Sequence, residues 1–180
     1  MSFLVEAENY LASGYSVIPL EANGKKPVIA WKEYQTRRPT HDDLLSWFGS
    51  GNYNIGIVTG RISGLTVLDC DSLDGLDILL KVGLPPTPTV RTGRGQHFYF
   101  QYVTNMGNFQ KRADLPGIDL RGDGGFCVAP PSVHSNGKRY EWTARPPLAR
   151  LPDRYLTQIK PPLMPLHHGT GAGTRNQTLA

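Results

Sequence analysis

The chain reads as an α/β or α+β domain: a mixed β-sheet flanked by helices. Two observations carry that reading. Short apolar or alternating segments recur along the sequence and are interleaved with a few stretches of helical periodicity. The 180 residues also include 20 glycines and 15 prolines, enough for many tight turns but below the proportion of a low-complexity chain. A chain of this length buries a sizeable core without staples. Hydrophobic residues at 39% and charged residues at 19% exclude a disordered acidic tail and a coiled coil. The net charge of +4 is a mild bias toward an anionic partner.

The elements follow in order. Phe3, Leu4, Ala7, Tyr10 and Leu11 recur at helical spacing, and Gly14 stands where that helix stops. Tyr15 to Leu20 reads as a strand, followed by a turn with Lys25 and Lys26. Thr40 is placed to cap a helix through Leu44, Leu45, Trp47 and Phe48. Asn54–Val58 and Leu65–Asp71 are the next strands. Ser72 opens a helix expected to turn Leu73, Leu76, Leu79 and Leu80 to one face and to end at Gly83. The LPPTPT stretch cannot be helical. Strands are expected near Thr89–Arg91, His97–Val103, Gly117–Arg121, Phe126–Ala129 and Arg139–Trp142, then a short helix over Pro152–Ile159. The last residues, 160–180, read as a Pro- then Gly/Thr-rich linker after a domain spanning residues 1–159.

Cys70 and Cys127 are too few for a zinc ribbon or a disulfide framework, so no zinc is expected. MSFLVEAENY lacks the basic start and apolar run of a signal peptide, and no stretch approaches the ~18 apolar residues that span a bilayer. The expectation is a cytoplasmic protein with reduced thiols and no membrane partner. Gly169, Gly171 and Gly173 imitate a phosphate loop without the strand or the Gly-Lys-Ser/Thr that one needs.

Three segments carry candidate chemistry. In TGRISGLTVLDCD, Asp69 and Asp71 share one face of a strand end, because alternate strand residues do; Leu68 and Cys70 face the other way, into apolar packing. Two like charges at this spacing repel unless a cation lies between them. Oxygen ligands on a rigid strand suit Mg²⁺ or Mn²⁺; the competing reading is a turn and a helix cap. Asp119 in GIDLRGDGG is an acid inside an apolar strand pattern, either a third ligand or the partner of Arg121. Asp123 in the same segment reads as a turn residue.

TVRTGRGQHFYF sets a basic, glycine-bearing loop before a strand. Arg91 and Arg94 supply charge, while Gly93 and Gly95 let backbone N–H groups approach an anion. His97 and Tyr99 share one strand face, and Phe98 and Phe100 share the other, expected to be the core. His97 is either a phosphate-facing group or a core histidine bonded to a carbonyl. In VAPPSVHSNGKRYEW, Ser132, His134 and Lys138 are further anion-binding candidates, set against a plain hairpin turning at Asn136-Gly137.

Taken in order and at these separations, the three segments resemble the bifunctional DNA primase/polymerase N-terminal domain of the archaeo-eukaryotic primase superfamily. GYSVIPL, GKKP and Trp31 add to the resemblance, which covers Phe3 to Trp142. It implies a DNA-directed nucleotidyltransferase with an RRM-like sheet. The family's Asp-x-Asp motif falls on Asp69 and Asp71, its histidine motif on His97 and its lone acid on Asp119. Ser132 and His134 fall on its Pro-Pro-Ser-x-His segment. The implied cofactors are two Mg²⁺ or Mn²⁺ ions held by Asp69, Asp71 and Asp119. Arg91, Thr92, Arg94, His97, Arg121, Ser132, His134 and Lys138 would face the nucleotide's phosphates. The implied partners are a DNA template and primer and dNTP, or NTP. The tail GTRNQTLA resembles the start of a helical segment in longer phage, plasmid or mobile-element replication proteins. A helicase-like region of the same polypeptide, or a separate replicative helicase, is therefore a further expected partner. A metal-dependent nuclease or phosphohydrolase using the same acids, and a non-catalytic single-strand-binding module, are the competing classes.

Overall fold

The computed structural model describes residues 2–110 and 116–153. The helix expected over Pro152–Ile159 and the linker after it lie almost wholly outside the described residues. The architecture is α+β. Its helices are α1 (Phe3–Ala12), α2 (His41–Phe48) and α3 (Leu73–Val82), with a short 3₁₀ turn at Lys32–Gln35. Its strands are β1 (Ser16–Leu20), β2 (Asn54–Val58), β3 (Leu65–Cys70), β4 (Thr89–Arg91), β5 (Gln96–Gln101), β6 (Ile118–Arg121), β7 (Phe126–Ala129) and β8 (Glu141–Ala144).

Local chemistry explains the helix ends. Gly14, at φ +87°, continues the chain past α1 in a conformation few other residues adopt. Its N–H donates to the Leu11 carbonyl at 2.9 Å, and the Tyr15 N–H donates to the Tyr10 carbonyl at 3.0 Å, which satisfies two otherwise orphaned acceptors. At α2, the Thr40 hydroxyl accepts from the Asp43 N–H, and the Asp43 carboxylate accepts from the Thr40 N–H, a reciprocal cap. At α3, the Ser72 hydroxyl accepts from the Gly75 N–H at 3.0 Å.

The strands form two sheets, β1-β2-β7 and β6-β3-β5-β4-β8. Every ladder between these strands is antiparallel, so the expected mixed sheet is corrected to two antiparallel ones. The reason is topological. The crossover β3–α3–β4 returns β4 in the direction of β3, but β5 lies between them, and the two like-directed strands never pair.

Two cores flank the five-stranded sheet. One face carries Val67, Val90 and Tyr99, which pack with Ile55, Ile57, Val128 and Ala129 of the three-stranded sheet and with Ala7, Tyr10, Leu44 and Phe48 of α1 and α2. The other carries Leu68, Cys70, Phe98, Phe100 and Leu120, packed with Leu79 of α3. The expected leucine face of α3 is only half right. Leu79 is buried, whereas Leu73 is 82% and Leu80 59% exposed. At roughly 100° per residue, Leu73 and Leu80 fall about 100° or more around the helix from Leu79, beyond the stripe that meets the sheet.

Candidate active site

Register brings the sequence-predicted acids and histidine together. Asp69 on β3 stands opposite His97 on β5 and opposite Asp119 on β6. Cross-strand neighbours project to the same side, so Asp119, Asp69 and His97 form one row on the face turned toward the three-stranded sheet. That face is covered: His97 is 4% and Asp69 6% exposed. Phe98 and Phe100, on the opposite face, are core as expected.

The row is an electrostatic cluster. His97 Nε2 lies 3.3 Å from Asp69 Oδ1, within ion-pair range but out of line for a hydrogen bond. Arg121 Nη2 donates to Asp119 Oδ2 at 3.0 Å and to Asp69 Oδ2 at 3.4 Å. The Gln110 amide, with its oxygen turned to Arg121, accepts from the same guanidinium. Burial alone would raise the Asp69 carboxyl, but the charges of His97, Arg121 and Lys25 hold it down at about 2. Among the described residues, Asp69 Oδ1 and His97 Nδ1 are buried with no hydrogen-bond partner. Such groups are rare in folded proteins and call for an explanation.

These groups open into a cavity of about 330 Å³ between the sheets. Its walls include residues that sequence reasoning passed over or weighed lightly: Lys25, Trp31, Asn108, Gln110, Phe126 and Tyr140. Lys25 was read as an ordinary turn lysine; only the fold shows that its turn reaches the rim of the cavity. Tyr140 is packed between two histidines, with ring centroids 5.9 Å from His97 and 6.1 Å from His134. Burial pushes its hydroxyl up, and Asp69 and Asp71 add to that shift. Its signal in the sequence was its place next to Glu141-Trp142, which reads as nothing more than a strand.

The other predicted residues are distributed differently. Asp71 is exposed just past β3, and its N–H donates to the Gly117 carbonyl at 2.9 Å. Ser132 is fully buried. Its hydroxyl accepts from the Ile55 N–H at 2.8 Å and faces the Ile55 carbonyl, tying the end of β7 to β2. Thr92 is buried, and its hydroxyl accepts from the N–H groups of Arg94 and Gly95. The buried His134 accepts from the Asn136 N–H through Nδ1. Asp123 is a structural turn residue, as expected: its carboxylate accepts from the Arg61 N–H and the Tyr102 hydroxyl. Cys127 is buried, and burial pushes its thiol up to about 12, which leaves no nucleophilic thiolate at neutral pH.

Arg91, Arg94 and Lys138 line a second cavity, of about 280 Å³, together with Cys70, Ser72, Leu73 and Gln96. Cys70 and Gln96 pair with each other in the next row along the sheet and point away from Asp69 and His97. The basic loop and the acids thus serve different cavities.

The donor set fits a hard divalent cation in part. Asp69 offers a buried carboxylate oxygen without a hydrogen-bond partner, Asp119 stands beside it in register, and Asp71 is exposed at the strand end. Among the described residues, no three acid, His or Cys groups are gathered as a ready-made cage. No helix among the described residues is long and apolar enough to cross a membrane.

By sequence, no curated protein matches the chain. The family model of the bifunctional DNA primase/polymerase N-terminal domain, Prim-Pol, matches residues 7–154. That span holds all three motif segments and both cavities, and the chain accordingly belongs to the Prim-Pol family, a nucleotidyltransferase domain of DNA primases and polymerases.

Proposed function

We propose that this domain performs template-directed nucleotidyl transfer with the Asp119–Asp69–His97 row as its centre, within a larger replication protein of a phage, plasmid or mobile element. The observation that carries the reading is the buried row itself, in which, among the described residues, Asp69 Oδ1 and His97 Nδ1 have no hydrogen-bond partner, beside an open cavity. Asp69, Asp71 and Asp119 are the residues that would hold two Mg²⁺ or Mn²⁺ ions. When bound, such ions neutralise the triphosphate and activate a primer 3′-hydroxyl.

The chain's own groups do the rest. The rigid sheet fixes the carboxylates. His97, held between Asp69 and the Tyr140 ring, would donate to a phosphate oxygen. Arg121 and Lys25 add positive charge to the same cavity. The strand order β6-β3-β5-β4, split around β5, supports an RRM-like core. A binding module of that type stacks bases on exposed sheet aromatics. On β5, Phe98, Tyr99 and Phe100 are all buried, which favours catalysis over simple strand binding.

The test is incorporation of labelled dNTP or NTP on a DNA template, with and without primer, by the wild-type chain and Asp69→Asn. Template-dependent product from the wild type alone is expected. Release of nucleotides from the DNA without incorporation would replace the reading with that of a nuclease.

A further inference from the structure

We propose that the second cavity binds the phosphodiester backbone of a DNA strand, on the sheet face opposite the catalytic row. The proposal rests on the polymerase reading for its biological sense but not for its test.

Three observations support it. First, strand alternation sets the cavity apart from Asp69 and His97: Cys70, Gln96 and Arg91 form the row that points to the α3 side, while Asp69, His97 and Val90 form the row that points to the three-stranded sheet; Asp71, between the lining residues Cys70 and Ser72, is the acid nearest the cavity in sequence. Second, its lining contains three cations and no acid. Arg91 is engaged by Glu141. Among the described residues, neither Arg94 nor Lys138 makes an ion pair, and both are exposed. A nucleoside triphosphate arrives with a divalent cation that needs carboxylates nearby, whereas a phosphodiester needs only cations. Third, the wall beside these cations is apolar. Leu73 is 82% exposed and lines the cavity with Leu76. An exposed leucine next to free cations suits a strand, whose sugars and bases present apolar surface between phosphates.

The loop that presents Arg94 is tied by hydrogen bonds of its own. The Thr92 hydroxyl holds the Arg94 and Gly95 N–H groups. A side chain at Gly95 would come within 1.8 Å of the Cys70 carbonyl, and one at Gly93 within 2.2 Å of the His134 ring. The buried Thr92 thus fixes the backbone on either side of the Arg94–Gly95 bond, and the His134 ring packs close to Gly93. A preordered loop loses little entropy on binding.

The experiment uses the full chain with a fluorescent single-stranded oligodeoxynucleotide, titrated by anisotropy across a salt series, alongside dNTP KM in primer extension at saturating DNA. Arg94→Gln/Lys138→Gln is expected to weaken strand binding about tenfold and to make the log–log salt slope shallower by about 1.4, at ~0.7 per phosphate contact on a single strand. Leu73→Glu, at an exposed position that does not threaten folding, is expected to weaken binding by a similar factor. The dNTP KM of Leu73→Glu stays within twofold of wild type. A tenfold rise in dNTP KM at saturating DNA overturns the proposal in favour of a triphosphate site, whatever happens to DNA affinity. Unchanged DNA affinity in both variants overturns it in favour of a solvated surface. A wild-type chain that binds DNA but incorporates nothing would refute the polymerase reading and leave this proposal standing.

Discussion

The two faces of the five-stranded sheet are made by the same strands and are built for different work. Toward α3, β3 and β5 contribute Leu68, Cys70, Phe98 and Phe100 to an apolar core. Toward the three-stranded sheet, the same two strands contribute Val67 and Tyr99 to a core, and then, near the strand end, Asp69 and His97. The period-2 alternation of a strand is enough to separate packing from chemistry. Each face leaves a cavity near the strand ends, and what distinguishes them is the lining: Asp69 and His97 toward the three-stranded sheet, Arg91, Arg94 and Lys138 toward α3.

The contrast leads to graded expectations. On the α3 side, Phe100→Ala removes a fully buried ring and should cost about 3–5 kcal/mol in urea-unfolding stability, with the activity of the remaining folded protein little changed. A loss of specific activity out of proportion to unfolding would show that the faces are not separate. On the cavity side, Asp69→Asn should reduce primer extension by about 100-fold or more, read as labelled product per minute. Near-normal extension would remove Asp69 from the centre.

Acid should affect this face in particular. The Asp69 carboxyl sits at about 2 when folded, below its ordinary value near 4. Its stabilisation is therefore complete above about pH 4 and is lost as pH falls through about 2. In buffer without divalent cations, unfolding measured between these values should lose about 2 kcal/mol in the wild type, a loss that Asp69→Asn does not share. The smallest effect is expected at the rim: Lys25→Ala should raise dNTP KM about threefold and leave the melting temperature unchanged, since Lys25 is exposed.

The elements themselves were legible in the sequence. Thr40, Ser72 and Gly14 mark helix ends by hydrogen bonds made within a few residues, and the strands lie within a residue or two of the segments that alternation picks out. Alternation also put Asp69 and Asp71 on one face, but β3 ends at Cys70 and Asp71 lies exposed beyond it. What was not legible is whatever depends on distant partners. Nothing local says that β5 inserts between β3 and β4, and so the antiparallel order was missed. Alternation told which residues share a face, but not that a second sheet covers His97, nor that Lys25 and Gln110 come to the cavity from loops far along the chain. Ser132 and Thr92 have the right chemistry for phosphate, yet their hydroxyls are engaged by backbone groups whose positions only the fold supplies.

The Arg121 guanidinium, set between Asp69 and Asp119, has one more consequence. Two carboxylates brought together in a covered site would ordinarily make assembly depend on an ion from solution. Here the chain brings its own counter-ion, two residues from one acid and across the ladder from the other. The acid cluster can therefore assemble as the sheet does, independent of the supply of divalent ions in the medium. The domain is then a folded body before it is a loaded one, and chelation would silence it without undoing it.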